Sequence, residues 1–143
     1  MQSTLEAAVD QIAITDLCAR YALHLSRREL DEIVALFVPD GEYHAFGETY
    51  PMKAFPGLIE SAPQGQLMVN PPVVELDGDE ATGEQHYVFV NQQTHELRLA
   101  WYSDRYRRTG GGWRFVSRST TFLRRHGGAD GGNTHDPVQP ASG

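Results

Sequence analysis

Apolar residues recur at Leu5, Val9, Ile12, Leu17, Tyr21 and Leu25, separated by threes, fours and one five. That spacing keeps one side of a helix apolar, so a helix is predicted over 4–26, with Ser3 or Thr4 placed to cap its first N–H groups. The run ELDEIVALF predicts a second short helix with Leu30, Ile33, Val34 and Phe37 on one side. VPDG should end it, because Pro39 and Gly41 both oppose helix continuation. Beyond this point the pattern shifts toward strands. EYHAF reads as a short strand and FPGLIESA as one or two helical turns. QLMVNPPVVEL, TGEQHYVFVNQQ, LRLAWYSDRYRR and WRFVSRSTTFL read as longer strands. DGDE, QQTHE and TGGG between them are suited to hairpin connections. Helices first and a curved antiparallel sheet afterwards is an α+β plan.

Residues 1–125 are read as one domain, and 126–143 (HGGADGGNTHDPVQPASG) as a disordered tail of Gly, Pro and small polar residues. A chain of 143 residues can bury one core without a metal or disulfide staple. The single Cys18 excludes an internal disulfide and a cysteine-based zinc cluster, and its place in the first helical pattern suits a buried thiol. A net charge of −7 argues against binding along a phosphate backbone, so the basic runs DRYRR and FLRRH read as solvated strand faces. No stretch has the length and apolarity of a membrane span or the layout of a signal peptide, and a cytoplasmic location is the expectation.

The segments ITDLCARYALHLSRRELDEIVALFVPDGEY, NPPVVELDGDEAT and WYSDRYRRTGGGWRFVSR, in this order from about residue 10 to residue 123, resemble the SnoaL-like branch of the nuclear transport factor 2-like superfamily. The resemblance implies a cone-shaped α+β barrel, with N-terminal helices on a curved antiparallel sheet that wraps an apolar pocket. It also implies relatives among polyketide cyclases, scytalone dehydratase-like enzymes and ketosteroid isomerases, besides binding proteins without catalysis. Many enzymes of that branch place an Asp where this chain has Ser26 and a His where it has Gln66. Neither Ser nor Gln exchanges protons at neutral pH, so that acid–base pair does not transfer. Tyr43, in EYHAF, corresponds to a strand tyrosine that polarises a carbonyl in the scytalone dehydratase-like members.

Other groups are candidates on their own chemistry. His24 lies three residues after Tyr21, so one helical face can present a general base beside a phenol donor. His86 alternates with Glu84, whose carboxylate can orient an imidazole; the opposite face of that strand carries Gln85, Tyr87 and Phe89. Only one of Tyr43 and His44 can face inward. Gln66, Met68 and Asn70 share one face and would form a pocket wall of two amides and a thioether, with Phe89 and Trp101 as further apolar contacts. Asp104, on the face of Tyr102, reads as a structural partner for an arginine such as Arg118, and Trp113 as a core anchor.

The candidate catalytic set is therefore His24, His86, Tyr43 and Tyr21, and the candidate substrate-binding set Gln66, Met68, Asn70, Trp101 and Phe89. The expected activity is a cofactor-free lyase or isomerase: dehydration, cyclisation or double-bond migration on a polyketide- or terpenoid-like molecule. The alternatives are a binding or assembly protein of the same fold, or a cyclase that works by pocket shape. No cofactor is expected, and no metal, because the histidines lack ligand spacing and DGDE lacks the distal Glu of a calcium loop. The expected partners are a small molecule and a second copy of the chain, not nucleic acid or membrane.

Overall fold

The computed structural model describes residues 2–123 and the pair Ala129–Asp130. Helix α1 (Thr4–Arg27) starts where Ser3 Oγ accepts the Glu6 amide at 3.0 Å. It ends at Arg28, whose left-handed φ of 58° costs a residue with a Cβ roughly 1–2 kcal/mol. Two contacts hold that turn: the Arg28 guanidinium donates to Glu60 O at 3.5 Å and to Ala62 O, tying the end of α1 to the end of α3 (Phe55–Ser61).

Only the second half of the predicted apolar stripe is buried. Leu5, Val9 and Ile12 are 75%, 55% and 69% exposed, while Ile14, Leu17, Cys18, Tyr21 and Ala22 pack inward. The first half of α1 is held by a polar clamp instead. Asp10, 4% exposed, accepts both Arg108 Nη atoms at 2.7 and 2.9 Å and Trp113 Nε1 at 3.0 Å.

Helix α2 (Leu30–Val34) is shorter than its sequence pattern, and VPDG belongs to a strand rather than a loop. Pro39 fits there because β1 (Phe37–Ala45) shifts its pairing with β7 between Phe37 and Glu42, where no ladder N–H is needed. The remaining strands are β2 (Glu48–Pro51), β3 (Gly65–Val69), β4 (Val73–Asp77), β5 (Glu80–Asn91), β6 (Leu97–Thr109), β7 (Gly112–Leu123) and β8 (Ala129–Asp130). The run QLMVNPPVVEL thus splits into β3 and β4 around Asn70–Pro72, since prolines 71 and 72 donate no ladder bond. Apart from Ala129–Asp130, which pairs with the end of β7, the predicted tail lies outside the described residues.

The sheet runs β2-β1-β7-β6-β5-β3, with β4 also on β5. It is mixed rather than wholly antiparallel, because β1 lies parallel to β7 while the other pairs are antiparallel. It curves far enough for α1 to pack against both β3 and β7 and does not close, with β2 and β3 at its edges.

One irregularity decides which side chains reach the concave face. Ser117 pairs with Arg105 and Phe115 with Tyr106, so Val116 is an extra residue. This bulge moves the inward positions of β7 from Trp113 and Phe115 to Arg118, Thr120 and Phe122.

Candidate functional site

A cavity of about 530 Å³ opens between the end of α1, α3 and the concave face of the sheet. That is within the range of about 300–1,000 Å³ typical of small-molecule sites. Helix α1 supplies Tyr21, Leu25 and Arg28; β1 supplies Tyr43; α3 supplies Phe55, Leu58 and Ile59. Strands β3, β5, β6 and β7 add Gly65, Leu67, Tyr87, Phe89, Arg98, Tyr102 and Phe122. At Gly65 a methyl group would collide with Val90 O and come within 2.7 Å of the Phe89 ring, so the absent side chain lets β3 approach the cavity wall.

The deep end is a cluster of phenols. Tyr43 Oη lies 2.6 Å from Thr120 Oγ1, and its ring stacks on Phe55 at 4.5 Å. The rings of Tyr87 and Tyr102 stack at 4.3 Å, and Tyr21 meets Tyr102 edge-on at 5.8 Å. Burial pushes the Tyr21, Tyr43, Tyr87 and Tyr102 hydroxyls above the ordinary phenol range; Arg98 lowers Tyr43 and Tyr87, and Arg118 all four, without reversing the direction. They are neutral hydrogen-bond donors, not bases. No histidine, aspartate or glutamate is among the described lining residues.

Behind these rings lies a sealed charge network. Arg118 Nε and Nη2 reach the two carboxylate oxygens of Asp104 at 2.8 and 2.9 Å, and Nη2 donates to Gln85 Oε1 at 2.8 Å. Tyr106 Oη donates to Asp104 at 2.9 Å, and Gln85 Nε2 donates to Asn70 O at 2.6 Å. Arg118 Nη1 has no hydrogen-bond partner among the described residues. Ring faces meet the charge instead: the guanidinium carbon is 3.7 Å from the Tyr102 centroid and 4.5 Å from those of Tyr21 and Phe115. Burial opposes the charge on Arg118, but Asp104 outweighs burial and holds it well above the ordinary arginine range. The expected Asp104–Arg118 partnership is present.

Of the residues nominated from sequence, Tyr21, Tyr43 and Phe89 line the cavity. The other placements need correction. His24 turns from the cavity to Glu29, with Nδ1 3.0 Å from Oε1, because it sits on the side of α1 that meets the turn into α2. His86 and Trp101 are cross-strand partners on the outer face of the sheet, their rings 6.3 Å apart. Gln66, Met68 and Asn70 are exposed; on β3 the inward positions are Gly65 and Leu67. Ser26 is a structural link: its hydroxyl donates to Ala22 O at 2.8 Å and accepts the Leu67 amide at 2.9 Å, fastening α1 to β3.

Sequence reasoning missed Tyr87, Tyr102, Thr120, Arg28 and Arg98 as lining or second-layer groups. A signal existed for Tyr87, since the Gln85–Tyr87–Phe89 face of β5 is more aromatic than the Glu84–His86 face. Thr120 had none, because the bulge sets its orientation.

Residues 6–119 match the SnoaL-like domain family. The chain belongs to that family. Its fold is shared by a function-unknown protein from Mycobacterium tuberculosis (TM-score 0.79, 24% identity, 87% of this chain and 78% of that one). An NTF2-like protein with a cystatin-like fold from Novosphingobium aromaticivorans is similar as well (TM-score 0.73, 26% identity, 86% and 92%). So is a protein from that organism named for scytalone dehydratase (TM-score 0.75, 19% identity, 94% and 95%). No curated protein sequence matches. Among the described residues of this SnoaL-like chain, no helix is long and apolar enough to cross a membrane, and no group of three or more His, Cys, Asp or Glu is placed to hold a metal.

Proposed function

We propose that this SnoaL-like chain captures a small, mainly apolar, ring-bearing molecule in its cavity and orients it by phenol hydrogen bonds, without side-chain general-base chemistry. The observation that carries the reading is the lining: aromatic and aliphatic walls, neutral buried phenols, and neither imidazole nor carboxylate among the described lining residues. A general base must come within hydrogen-bond reach of the proton it takes, and both His24 and His86 lie off the cavity. This favours the binding alternative over the acid–base enzyme.

The test uses 2-naphthamide, an uncharged ring-bearing probe. The full chain should bind one equivalent, and Leu67→Trp, which fills the cavity from β3, should weaken capture at least tenfold while the protein stays folded by circular dichroism. Absence of binding, or equal binding by the variant, removes the reading.

A second reading is supported by the 2.6 Å Tyr43–Thr120 pair and by the similarity to a dehydratase-named protein. Here the chain is a lyase or isomerase acting on a polyketide- or terpenoid-like molecule. Phenol donors would stabilise negative charge on a substrate oxygen, and pocket shape would supply the remaining rate. On that reading Tyr43→Phe lowers turnover at least tenfold, whereas the double variant His24→Gln/His86→Gln leaves it unchanged.

A further inference from the structure

Three of the hydroxyls at the deep end belong together although β1, β5 and β7 supply one each. Thr120 is turned inward on β7 by the bulge at Val116, and its Oγ1 lies 2.6 Å from Tyr43 Oη of β1. On β5 the Tyr87 ring stacks at 4.3 Å on Tyr102, which is the cross-strand partner of Thr120. Burial pushes the Tyr87 hydroxyl up, and hydrogen bonding to Thr120 works against that push. Thr120 is buried and is not among the described lining residues, whereas Tyr43 and Tyr87 both are. The threonine is thus a shared partner behind two phenols that face the cavity.

The number of protons decides what this sharing does. A hydroxyl has one hydrogen to give and two lone pairs to receive with. Among the described residues, the side-chain hydrogen bonds of Thr120 go to these two phenols. Thr120 gives its hydrogen to one of them and receives one from the other. The phenol that receives from Thr120 keeps its own O–H for the cavity, and the phenol that gives to Thr120 turns a lone pair there. The two roles can exchange, yet the cavity always meets one donor and one acceptor. Two oxygens bonded to a single Oγ1 lie within about 6 Å of each other, a span that one ligand oxygen bridges.

We infer that Thr120 is a positioning residue that makes the cavity selective for a ligand hydroxyl, which closes a ring of four hydroxyls with Tyr43, Thr120 and Tyr87. In that ring every O–H gives once and receives once, and each bond polarises the next. A ketone or an ether receives from one phenol and leaves the lone pair of the other unmet. A hydrocarbon leaves both phenols unmet, and each unmet group loses its hydration without return. This rests on the reading of the cavity as a ligand site and adds the class of the ligand, a ring-bearing alcohol or phenol.

The experiment titrates the full chain with 2-naphthol, 2-methoxynaphthalene and 2-methylnaphthalene at a pH where naphthol is neutral. The three share one ring system and carry a hydroxyl, an acceptor alone, and neither. Naphthol should bind about tenfold tighter than its methyl ether. Thr120→Val, which keeps the shape and removes the hydroxyl, should weaken naphthol about tenfold and move 2-methylnaphthalene by less than about twofold. Thr120→Ser, which keeps a hydroxyl, should retain the naphthol affinity. A merely structural role for Thr120 would weaken all three ligands together; that result overturns the hydroxyl inference, as does equal binding of naphthol and its ether. Should Thr120→Val fail to fold, Tyr87→Phe opens the same ring and should weaken naphthol alone, and an unchanged naphthol affinity there counts against the ring. Capture of 2-naphthamide without 2-naphthol overturns the hydroxyl inference while the cavity remains a ligand site. Capture of neither removes the proposed function with it.

Discussion

Two tyrosine clusters lie a few ångströms apart in this fold and serve opposite ends. In one, Tyr106 donates to Asp104, which pairs with Arg118; no bond faces the cavity, and the participants are nearly inaccessible. In the other, Tyr43 shares a hydrogen bond with Thr120 beside Tyr87, and the phenols line open space. The sealed cluster holds opposite charges because a buried ion is tolerated only when paired and hydrogen-bonded. The open cluster holds neutral groups, which can remain dry without a counter-charge and still present donors to a guest. Tyr21 and Tyr102 are the common wall, with rings against the Arg118 guanidinium and edges on the cavity.

Breaking the sealed cluster should cost most. Asp104→Ala strands the Arg118 charge in the core, and the expected loss of unfolding stability by urea titration is about 3–5 kcal/mol. A pair of smaller changes tests the contrast directly. Tyr106→Phe removes a hydrogen bond to a carboxylate and should cost about 1.5–3 kcal/mol, whereas Tyr43→Phe removes a neutral one and should cost about 0.5–1.5 kcal/mol. Equal losses would erase the distinction between the clusters.

The smallest effect is expected at Asp10, which belongs to neither cluster and pairs with the partly exposed Arg108. Hydrogen bonds from Arg108 hold its carboxyl at about 2, against the opposing effect of burial and with help from Trp113 and Gln2. The folded value lies below the unfolded one of about 3.9, so this stabilisation is present above that pH and is lost as pH falls toward about 2. Since Arg108 is partly exposed, solvent screening keeps the stability at stake below about 1 kcal/mol. Asp10→Asn should therefore be less stable than the unaltered chain at pH 6, and the gap should narrow between pH 4 and pH 2 in chemical unfolding.

Much of the architecture was legible in the residues. Ser3 caps α1 as read, the hairpin-joined strands β5, β6 and β7 fall where the alternation placed them, and the SnoaL-like resemblance matches the family found. The site was less legible. The histidines drew attention because imidazole is chemically versatile, yet His24 is taken by Glu29 and His86 meets Trp101 edge-on on the outer face. Leu5, Val9 and Ile12 continue the apolar stripe read on α1 but are exposed, because helical spacing gives a face but not what lies beneath it.

Sequence alone determined most of the element order and the period of each strand, since local spacing and turn chemistry act over a few residues. The phase of each strand was a tertiary decision. The extra residue Val116 turns Arg118 and Thr120 inward, and the curvature of the sheet brings Tyr43, Tyr87 and Tyr102 from separate strands toward one cavity. A one-residue shift in register exchanges the two faces of a strand, and only packing against α1 and α3 selects between them.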